Sequence, residues 1–197
     1  MACDYVFLGS AEIDFDIPGT LGVIYYHDTW LKHKDKERVY PFLTSKNYLE
    51  GGVFSEQMNV VYACLEDLNT KLISRLKSDP TAVLLIDTWN AHGMAEQRRL
   101  FMQLMNADCQ VPVIIVRAYG GLSEEKLQLQ SATDMGALLL DGLGDGIFIA
   151  AENCGSDQNI NQTAFGILQA TRTRISKTEY ISCPSCGRTL FLSLIHI

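Results

Sequence analysis

The chain has 197 residues, enough for one domain with a sizeable core, and it is 47% hydrophobic and 20% charged, as globular proteins are. Its net charge of −7 argues against nucleic acid as the main partner, because phosphate backbones are bound by basic surfaces. No apolar run approaches the length of about 18 residues that a membrane-spanning helix needs. The N-terminus also lacks a basic region followed by a long apolar stretch. We therefore expect neither a membrane association nor a secretory signal.

Short apolar runs bounded by turn residues predict strands that are buried on both faces, as in a parallel sheet. In chain order these runs are Tyr5–Leu8, Gly22–Tyr26, Ala82–Ile86, Pro112–Val116, Ala137–Leu140 and Ile147–Ala150. Segment 27–56 is more polar and contains the mixed charge run Lys32–Arg38, which is typical of a solvated loop or helix face.

Helical spacing separates several of these runs, and strand–helix alternation in the second half of the chain predicts a parallel α/β sheet. The apolar positions predict helices around Met58, Val61, Leu65, Leu68, Leu72 and Leu76, around Met94, Phe101, Leu104 and Met105, and around Ile160, Ala164, Ile167 and Leu168. A further helix is predicted to begin after Ser123, an N-cap residue that is followed by two acidic residues.

The segment Asp141-Gly-Leu-Gly-Asp-Gly146 is predicted to link two strands. Its glycines allow positive φ, so its backbone N–H groups could form an anion site. The alternative is a tight connection between neighbouring strands. We favour the connection, because a Gly-x-Gly-x-Gly pattern that does not lead directly into a helix is weak evidence for a phosphate loop.

The six cysteines fall into two groups. Four are isolated in or beside apolar segments and are interpreted as buried structural thiols; they are Cys3, Cys64, Cys109 and Cys154. Cys183 and Cys186 instead stand two residues apart on a Pro/Gly turn, so that both thiolates can bind one metal ion. The pair suits half of a zinc ribbon, which the local spacing favours, or two ligands of an iron–sulfur cluster. Neither site is complete in this chain, and metal-type spacing without a signal peptide points to a reducing cytoplasm.

Other polar candidates are less specific. Arg172 and Arg174 form a compact basic cluster with Lys177, and alternating arginines could clamp a diphosphate or belong to an exposed linker. His27, His33 and His92 lack ligand partners at helical spacing and are interpreted as surface or core residues.

Three segments taken together closely resemble one family. They are Gly136–Gly146, Gly166–Arg174 and Lys177–Phe191, the last containing Cys-Pro-Ser-Cys-Gly-Arg-Thr-Leu-Phe. The family is 4-hydroxy-3-methylbut-2-enyl diphosphate synthase, in the longer three-domain form of plants and some bacteria. The resemblance is strong over about residues 110–191 and diffuse over 1–109.

The resemblance implies an oxidoreductase of the methylerythritol phosphate route to isoprenoids. Family members reduce the cyclic diphosphate 2-C-methylerythritol 2,4-cyclodiphosphate with electrons from ferredoxin or flavodoxin, using a 4Fe–4S cluster held by three cysteines and one glutamate. Cys183 and Cys186 match the first two cluster ligands, and Arg172 and Arg174 match the approach to that motif, where contact with substrate phosphate is implied. The resemblance implies a location in the cytoplasm of a bacterium or in the plastid of a plant. It is also compatible with a homodimer of the longer protein.

The implied organisation is a partial parallel (β/α) barrel-like inserted domain over residues 1–171, followed by the truncated start of an iron–sulfur domain over 172–191. Residues 192–197 depart from the family pattern and are interpreted as a foreign or misread tail, so that His196 is a poor ligand candidate. No catalytic residue is expected in this chain, and the isolated chain is expected to be inactive. The alternative hypothesis is a standalone α/β binding module whose zinc-type Cys-x-x-Cys hook pairs with a partner.

Overall fold

A computed structural model of the chain describes residues 3–13, 16–178, 180–182 and 194–196. The strands are β1 Tyr5–Gly9, β2 Gly22–Tyr26, β3 Val39–Thr44, β4 Asn59–Ala63, β5 Ala82–Ile86, β6 Val113–Gly120, β7 Gly146–Glu152, β8 Tyr180–Ser182 and β9 Leu194–His196. The helices are α1 His27–His33, α2 Ser45–Glu50, α3 Thr70–Ser78, α4 Gly93–Asn106, α5 Glu124–Ser131, α6 Ala137–Leu140 and α7 Asp157–Ala170. A 3₁₀ turn spans Leu65–Asp67, and a π-helical turn over Ala132–Gly136 joins α5 to α6.

Strands β1 to β7 form one sheet in chain order, and every neighbouring pair is parallel. The sheet curls strongly. The ring centroids of Phe7 in β1 and Phe148 in β7 lie only 6.3 Å apart, although five strands separate β1 from β7 in the sheet. The predicted partial parallel α/β barrel is therefore confirmed. Strands β8 and β9 form a separate antiparallel pair. Within the described ranges, no helix is long and apolar enough to cross a bilayer.

The core has two layers because successive residues of a strand point to opposite faces of the sheet. Leu84 faces the helices and packs in the cluster that includes Leu72 and Leu100, whereas its neighbour Leu85 faces the concave interior with Val60. The interior is rich in aromatic rings contributed by Phe7, Phe42, Tyr62 and Phe148. Burial on both faces explains why β5 reads as a continuous apolar run.

The predicted strand Ala137–Leu140 is wrong. These residues form α6, where Leu138 and Leu139 are buried against the outer face of the sheet. A run of four apolar residues has no period of its own that distinguishes a strand from a buried helical turn. Here the π-helical turn before it continues the helical backbone from α5.

The predicted helix around Met58–Leu76 begins too early. Asn59–Ala63 is the central strand β4, and only Thr70–Ser78 is α-helical. The buried Asn59 side chain fixes the start of β4, since its Nδ2 donates to Ser55 O at 2.8 Å and to Thr81 Oγ1 at 2.7 Å. Segment 27–56, for which the sequence suggested no strand, contains α1, β3 and α2. Pro41 concealed β3, because proline is rare in paired strands, where it lacks the N–H donor.

The other predicted helices agree with the structure, except that Met105, predicted on the apolar face of α4, is 61% exposed. Ser123 caps α5 by accepting the N–H of Lys126 at 3.4 Å, as predicted. Helices α4 and α7 lie where the apolar spacing predicts them, and they bury Leu100 and Ile167 respectively.

Asp79 gives the fold a specific acid dependence. Its carboxylate accepts hydrogen bonds from the Tyr48 hydroxyl at 2.7 Å and from Thr81 N–H and Oγ1 at 2.9 and 2.6 Å. Burial acts to raise the pKa of Asp79, but the hydrogen bonds from Thr81 and Tyr48 outweigh it, and the pKa lies below its ordinary value. A lowered carboxyl pKa stabilises the folded state above the unfolded pKa of about 3.9, and that stabilisation is lost as the pH falls through the native pKa.

We therefore expect Asp79→Asn to lower the free energy of unfolding by about 1 kcal/mol at pH 7 and to have little effect at the lowest pH where the protein stays folded. Urea unfolding of the two proteins at a series of pH values measures the difference in unfolding free energy at pH 7 and at low pH. A variant whose loss is the same at every pH would contradict the assigned role of this carboxylate.

Candidate functional site at the carboxyl edge of the sheet

All seven strands of the parallel sheet point their carboxyl ends to one edge, which is where barrel enzymes place functional groups. The polar residues at this edge come from β4, β5 and β6 and from the loops that follow them. They form two hydrogen-bonded groups, one around Asp87 and one around Arg117.

The first group is a hydrogen-bonded chain of Cys64, Tyr62 and Asp87. The Tyr62 hydroxyl donates to Asp87 Oδ2 at 2.9 Å, and the Cys64 thiol donates to the Tyr62 oxygen at 3.7 Å. Burial raises the pKa of the Cys64 thiol, and the charge of Asp87 raises it further, against the opposing effect of the Tyr62 hydrogen bond. Since the thiolate is the reactive form, Cys64 is a poor nucleophile here.

The second group centres on Arg117, which is only 6% exposed. Its Nε donates to Asp134 Oδ2 at 3.0 Å, and its Nη1 donates to the carbonyls of Thr88 and Asn90 at 3.3 and 3.2 Å. A longer contact of 3.5 Å joins Nη2 to the Ala91 carbonyl. The guanidinium is therefore occupied in holding the loop that follows β5.

Asp134 pairs with this buried arginine, and Gly93 leaves space for it. The Tyr119 hydroxyl also donates to Asp134 Oδ2, at 2.9 Å, so the carboxylate on the π-helical turn is shared by two donors from β6. A Cβ at Gly93 would lie 2.1 Å from Arg117 Nη1, which leaves no space for a side chain at the first residue of α4. The loop held in this way presents Trp89 to solvent, 84% exposed.

The arrangement explains what this edge can do chemically. Its buried acid, base and hydroxyl groups are paired with one another or with loop carbonyls, as the contacts of Asp87, Arg117 and Asp134 show. Among the residues that the structure describes, no group of three or more His, Cys, Asp or Glu side chains is placed to hold a metal ion. The polar residues at this edge therefore form a structural hydrogen-bond network, which holds the loop that contains the exposed Trp89.

Residues 141–146 form a tight connection, but from helix α6 to strand β7 rather than between two strands as predicted. Gly142 N–H donates to Leu139 O and Leu143 N–H to Leu138 O, both at 3.0 Å, which is the Schellman pattern of a helix C-terminus. Asp145 then pairs with Val113 through its backbone N–H at 2.7 Å and its carboxylate at 2.8 Å. These N–H groups are used within the fold, which supports the connection and not the anion site.

Gly144 is the glycine of this loop with the least space for a side chain. It has φ +96°, and an added Cβ would lie 2.8 Å from Ile115 Cδ1 in the core. We expect Gly144→Ala to destabilise the protein by about 2–5 kcal/mol, because the backbone strain of about 1–2 kcal/mol adds to an overpacking cost of about 1–3 kcal/mol. Gly142→Ala is the matched control, because Gly142 also has positive φ but nothing lies within 4 Å of its added Cβ, so that only the backbone penalty of about 1–2 kcal/mol applies. Urea midpoints that show Gly142→Ala as the more harmful change would contradict this assignment.

The two predicted phosphate-contacting arginines follow α7. The Arg174 side chain pairs with Asp4, and its guanidinium carbon lies 5.1 Å from the Phe165 ring centroid. The backbone N–H of Arg174 donates to Leu168 O at 3.1 Å. Arg172 has φ +62° and donates its N–H to Gln169 O at 3.1 Å. Both therefore help to shape the exit from the helix, and their contact with substrate stays a prediction.

The predicted metal ligands Cys183 and Cys186 lie outside the described residues, so their assignment also stays a prediction. Of the four cysteines interpreted as buried, Cys109 and Cys154 are buried as expected. The interpretation is wrong for Cys3, which is exposed ahead of the edge strand β1, and only half right for Cys64, which is partly buried. His92 precedes α4 without capping it through its side chain.

Sequence reasoning did not identify the Arg117 network. The available signal was an arginine directly after the apolar run Val113–Val116, within strand β6. A charge in that position is either functional or buried with partners, and the partners were not recognisable because they lie 17 to 29 residues away in sequence.

Comparison with curated proteins shows a relative that matches nearly the whole chain. 4-Hydroxy-3-methylbut-2-en-1-yl diphosphate synthase (flavodoxin) from Parabacteroides distasonis is 38% identical over 188 residues, which is 95% of this chain and 30% of the relative. The chain belongs to the 4-hydroxy-3-methylbut-2-en-1-yl diphosphate synthase family.

Other members support the same assignment. The enzyme of the same name from Porphyromonas gingivalis is 42% identical over 147 residues, covering 72% of this chain and 25% of the relative. The chloroplastic, ferredoxin-named synthase from Arabidopsis thaliana is 44% identical over 95 residues, covering 48% of this chain and 13% of the relative. The chain thus spans about 30% or less of the length of these relatives. No protein-family profile matches the chain, and no solved structure matches it.

Proposed function

We propose that the chain is part of an iron–sulfur reductase that converts 2-C-methylerythritol 2,4-cyclodiphosphate to 4-hydroxy-3-methylbut-2-enyl diphosphate in isoprenoid biosynthesis. The observation that carries the proposal is the 38% identity to the Parabacteroides distasonis synthase over 95% of this chain. The bacterial relatives are named for flavodoxin and the plant relative for ferredoxin, and one of these is the proposed electron donor.

Cys183 and Cys186 would provide two thiolate ligands to a 4Fe–4S cluster. Thiolates at this spacing suit iron–sulfur ligation, and the remaining ligands would come from the longer protein. When bound, the cluster would pass electrons from the flavodoxin or ferredoxin donor to the substrate for the reductive ring opening and removal of its hydroxyl group. Within the described residues no alternative metal-binding group competes with this pair.

The α/β unit serves as a scaffold in this proposal. Gln169, only 4% exposed near the end of α7, accepts from Ser176 N–H at 2.7 Å and Lys177 N–H at 3.2 Å and donates to Lys177 O at 2.8 Å. One buried amide therefore anchors the segment around Ser176 and Lys177, which precedes β8 and the sequence motif of Cys183. Because the polar groups at the carboxyl edge are paired internally, we assign no catalytic step to the described residues, and the 197-residue chain by itself should not turn over the substrate.

Metal analysis of the longer protein, purified without oxygen, tests the proposal. Iron and acid-labile sulfide in about equal amounts, near four of each, would support the cluster. Stoichiometric zinc without sulfide would instead favour the α/β binding module with a zinc-type cysteine hook. Turnover of the cyclic diphosphate by the 197-residue chain alone with a reduced donor would overturn the scaffold role.

Arg174 gives a prediction about substrate binding. In the longer enzyme, Arg174→Ala should weaken substrate binding by about 1.5–3 kcal/mol, the usual loss for a charged hydrogen bond, with an unchanged cluster spectrum; Arg172→Ala is expected to act in the same way. Asp4→Asn is the matched control, because it removes the ion-pair partner of Arg174 but keeps the guanidinium. If Asp4→Asn raises KM as much as Arg174→Ala does, the arginine has only a structural role.

A further inference from the structure

The two ends of the curled sheet do not meet. Strands β1 and β7 have no partner on their outer sides within the described sheet, and a cavity of about 950 Å³ opens between them. One wall is β1 around Val6 and Phe7, and the other is β7 from Gly146 to Ile149. We call this cavity the slot.

Strand β7 is incompletely covered for its composition. Residues Gly146 to Ala151 are all half-buried, whereas β5, which lies between two partners, buries four of its five residues. Ile147 and Ile149 face the helices, and Phe148 faces the concave interior. A strand that is apolar on both faces is typical of the inside of a parallel sheet, not of its edge.

The floor of the slot is apolar, and its roof is mixed. The slot reaches down to Ile24, Leu85 and Ile114 in the concave interior. Its roof is α7, where apolar Ala164 and Leu168 lie beside polar residues such as Asp157, Gln158 and Asn161. A strand in the slot would point alternate side chains toward these two surfaces, and its backbone N–H and C=O groups would pair with β1 on one side and β7 on the other.

We propose that one further parallel β-strand fills the slot and closes the barrel, and that the longer polypeptide supplies it from outside the segment that this chain represents. Closure by an eighth parallel strand removes both free edges. The matched segment is only 30% of the Parabacteroides distasonis relative, so ample chain exists to provide the strand. This inference rests on membership of the family and not on the proposed reductase activity.

The shape of the slot argues against a second copy of the chain as its occupant. A second copy would present an edge strand already attached to a neighbour in its own sheet, as β1 is to β2. The slot is bounded by both edges and by α7, which suits a single strand. The occupant is expected to be apolar at the alternate positions that face the concave interior, where Ile24, Leu85 and Ile114 form the floor.

Hydrogen exchange of the 197-residue chain tests the proposal. The probes are overlapping synthetic peptides that tile the Parabacteroides distasonis synthase on both sides of the matched region. One peptide should slow amide exchange in Tyr5–Gly9 and in Gly146–Glu152 together, by about tenfold or more, which corresponds to about 1.4 kcal/mol.

Two variants make the test specific to the slot. Ala164→Lys, which places a charge on the lining of the slot, should abolish the protection, whereas Gln162→Lys, which adds the same side chain to the exposed side of the same helix, should not. The proposal is overturned if no peptide protects both edges, or if both edges become protected without peptide as the chain concentration rises, which would identify a second copy as the occupant.

Discussion

Replacing Arg117 with methionine is expected to lower the free energy of unfolding by about 3–5 kcal/mol, the usual cost of breaking a buried ion pair by removing one partner. The substitution keeps most of the side-chain volume but leaves the Asp134 carboxylate without its cation. It also leaves the Thr88 and Asn90 carbonyls without their donor. The measurement is urea or thermal unfolding at pH 7.

Arg98→Met is the matched control. Arg98 also pairs with a carboxylate, Asp141, at 2.5 Å, but the two side chains are 35% and 52% exposed. Exposed pairs contribute about 0–1 kcal/mol, so this variant should unfold almost as the unmodified protein does. Arg117→Lys should fall between the two, because an ammonium group keeps the charge but cannot reproduce the fork of donors. Equal losses for Arg117→Met and Arg98→Met would show that the buried network does not hold the loop.

The second large effect concerns the cysteine pair. In the longer protein, replacing Cys183 or Cys186 with serine is expected to abolish both iron retention and reductase activity, because a serine hydroxyl is a poor substitute for a thiolate ligand. The brown absorbance of the anaerobically purified protein and its turnover of the cyclic diphosphate measure the two losses.

Two other cysteines serve as controls for this experiment. Cys3→Ser should change nothing, because Cys3 is exposed. Cys109→Ser should affect only stability, by about 0.5–3 kcal/mol, because Cys109 is packed in the core. A Cys183→Ser protein that keeps its colour and full turnover would remove this residue from the ligand set.

Local sequence determined much of the fold. Continuous apolar runs marked β1, β2, β5, β6 and β7, because strands of a parallel sheet that is covered on both faces are apolar on both faces. The N-cap at Ser123 and the periodic faces of α4 and α7 are likewise set by residues within a few positions of one another. The family was recognisable from the motif segments in the last third of the chain, and the comparisons confirm it.

Only the tertiary structure decided the remainder, because those features depend on partners that are distant in sequence. Strand β4 follows a helical period but is held as a strand between β3 and β5, and Ala137–Leu140 follows the π-helical turn into a helix. Arg117 acquires its structural role from a loop and a turn that the fold brings to it. The slot is formed by strands from opposite ends of the described sheet, which no local pattern could place side by side.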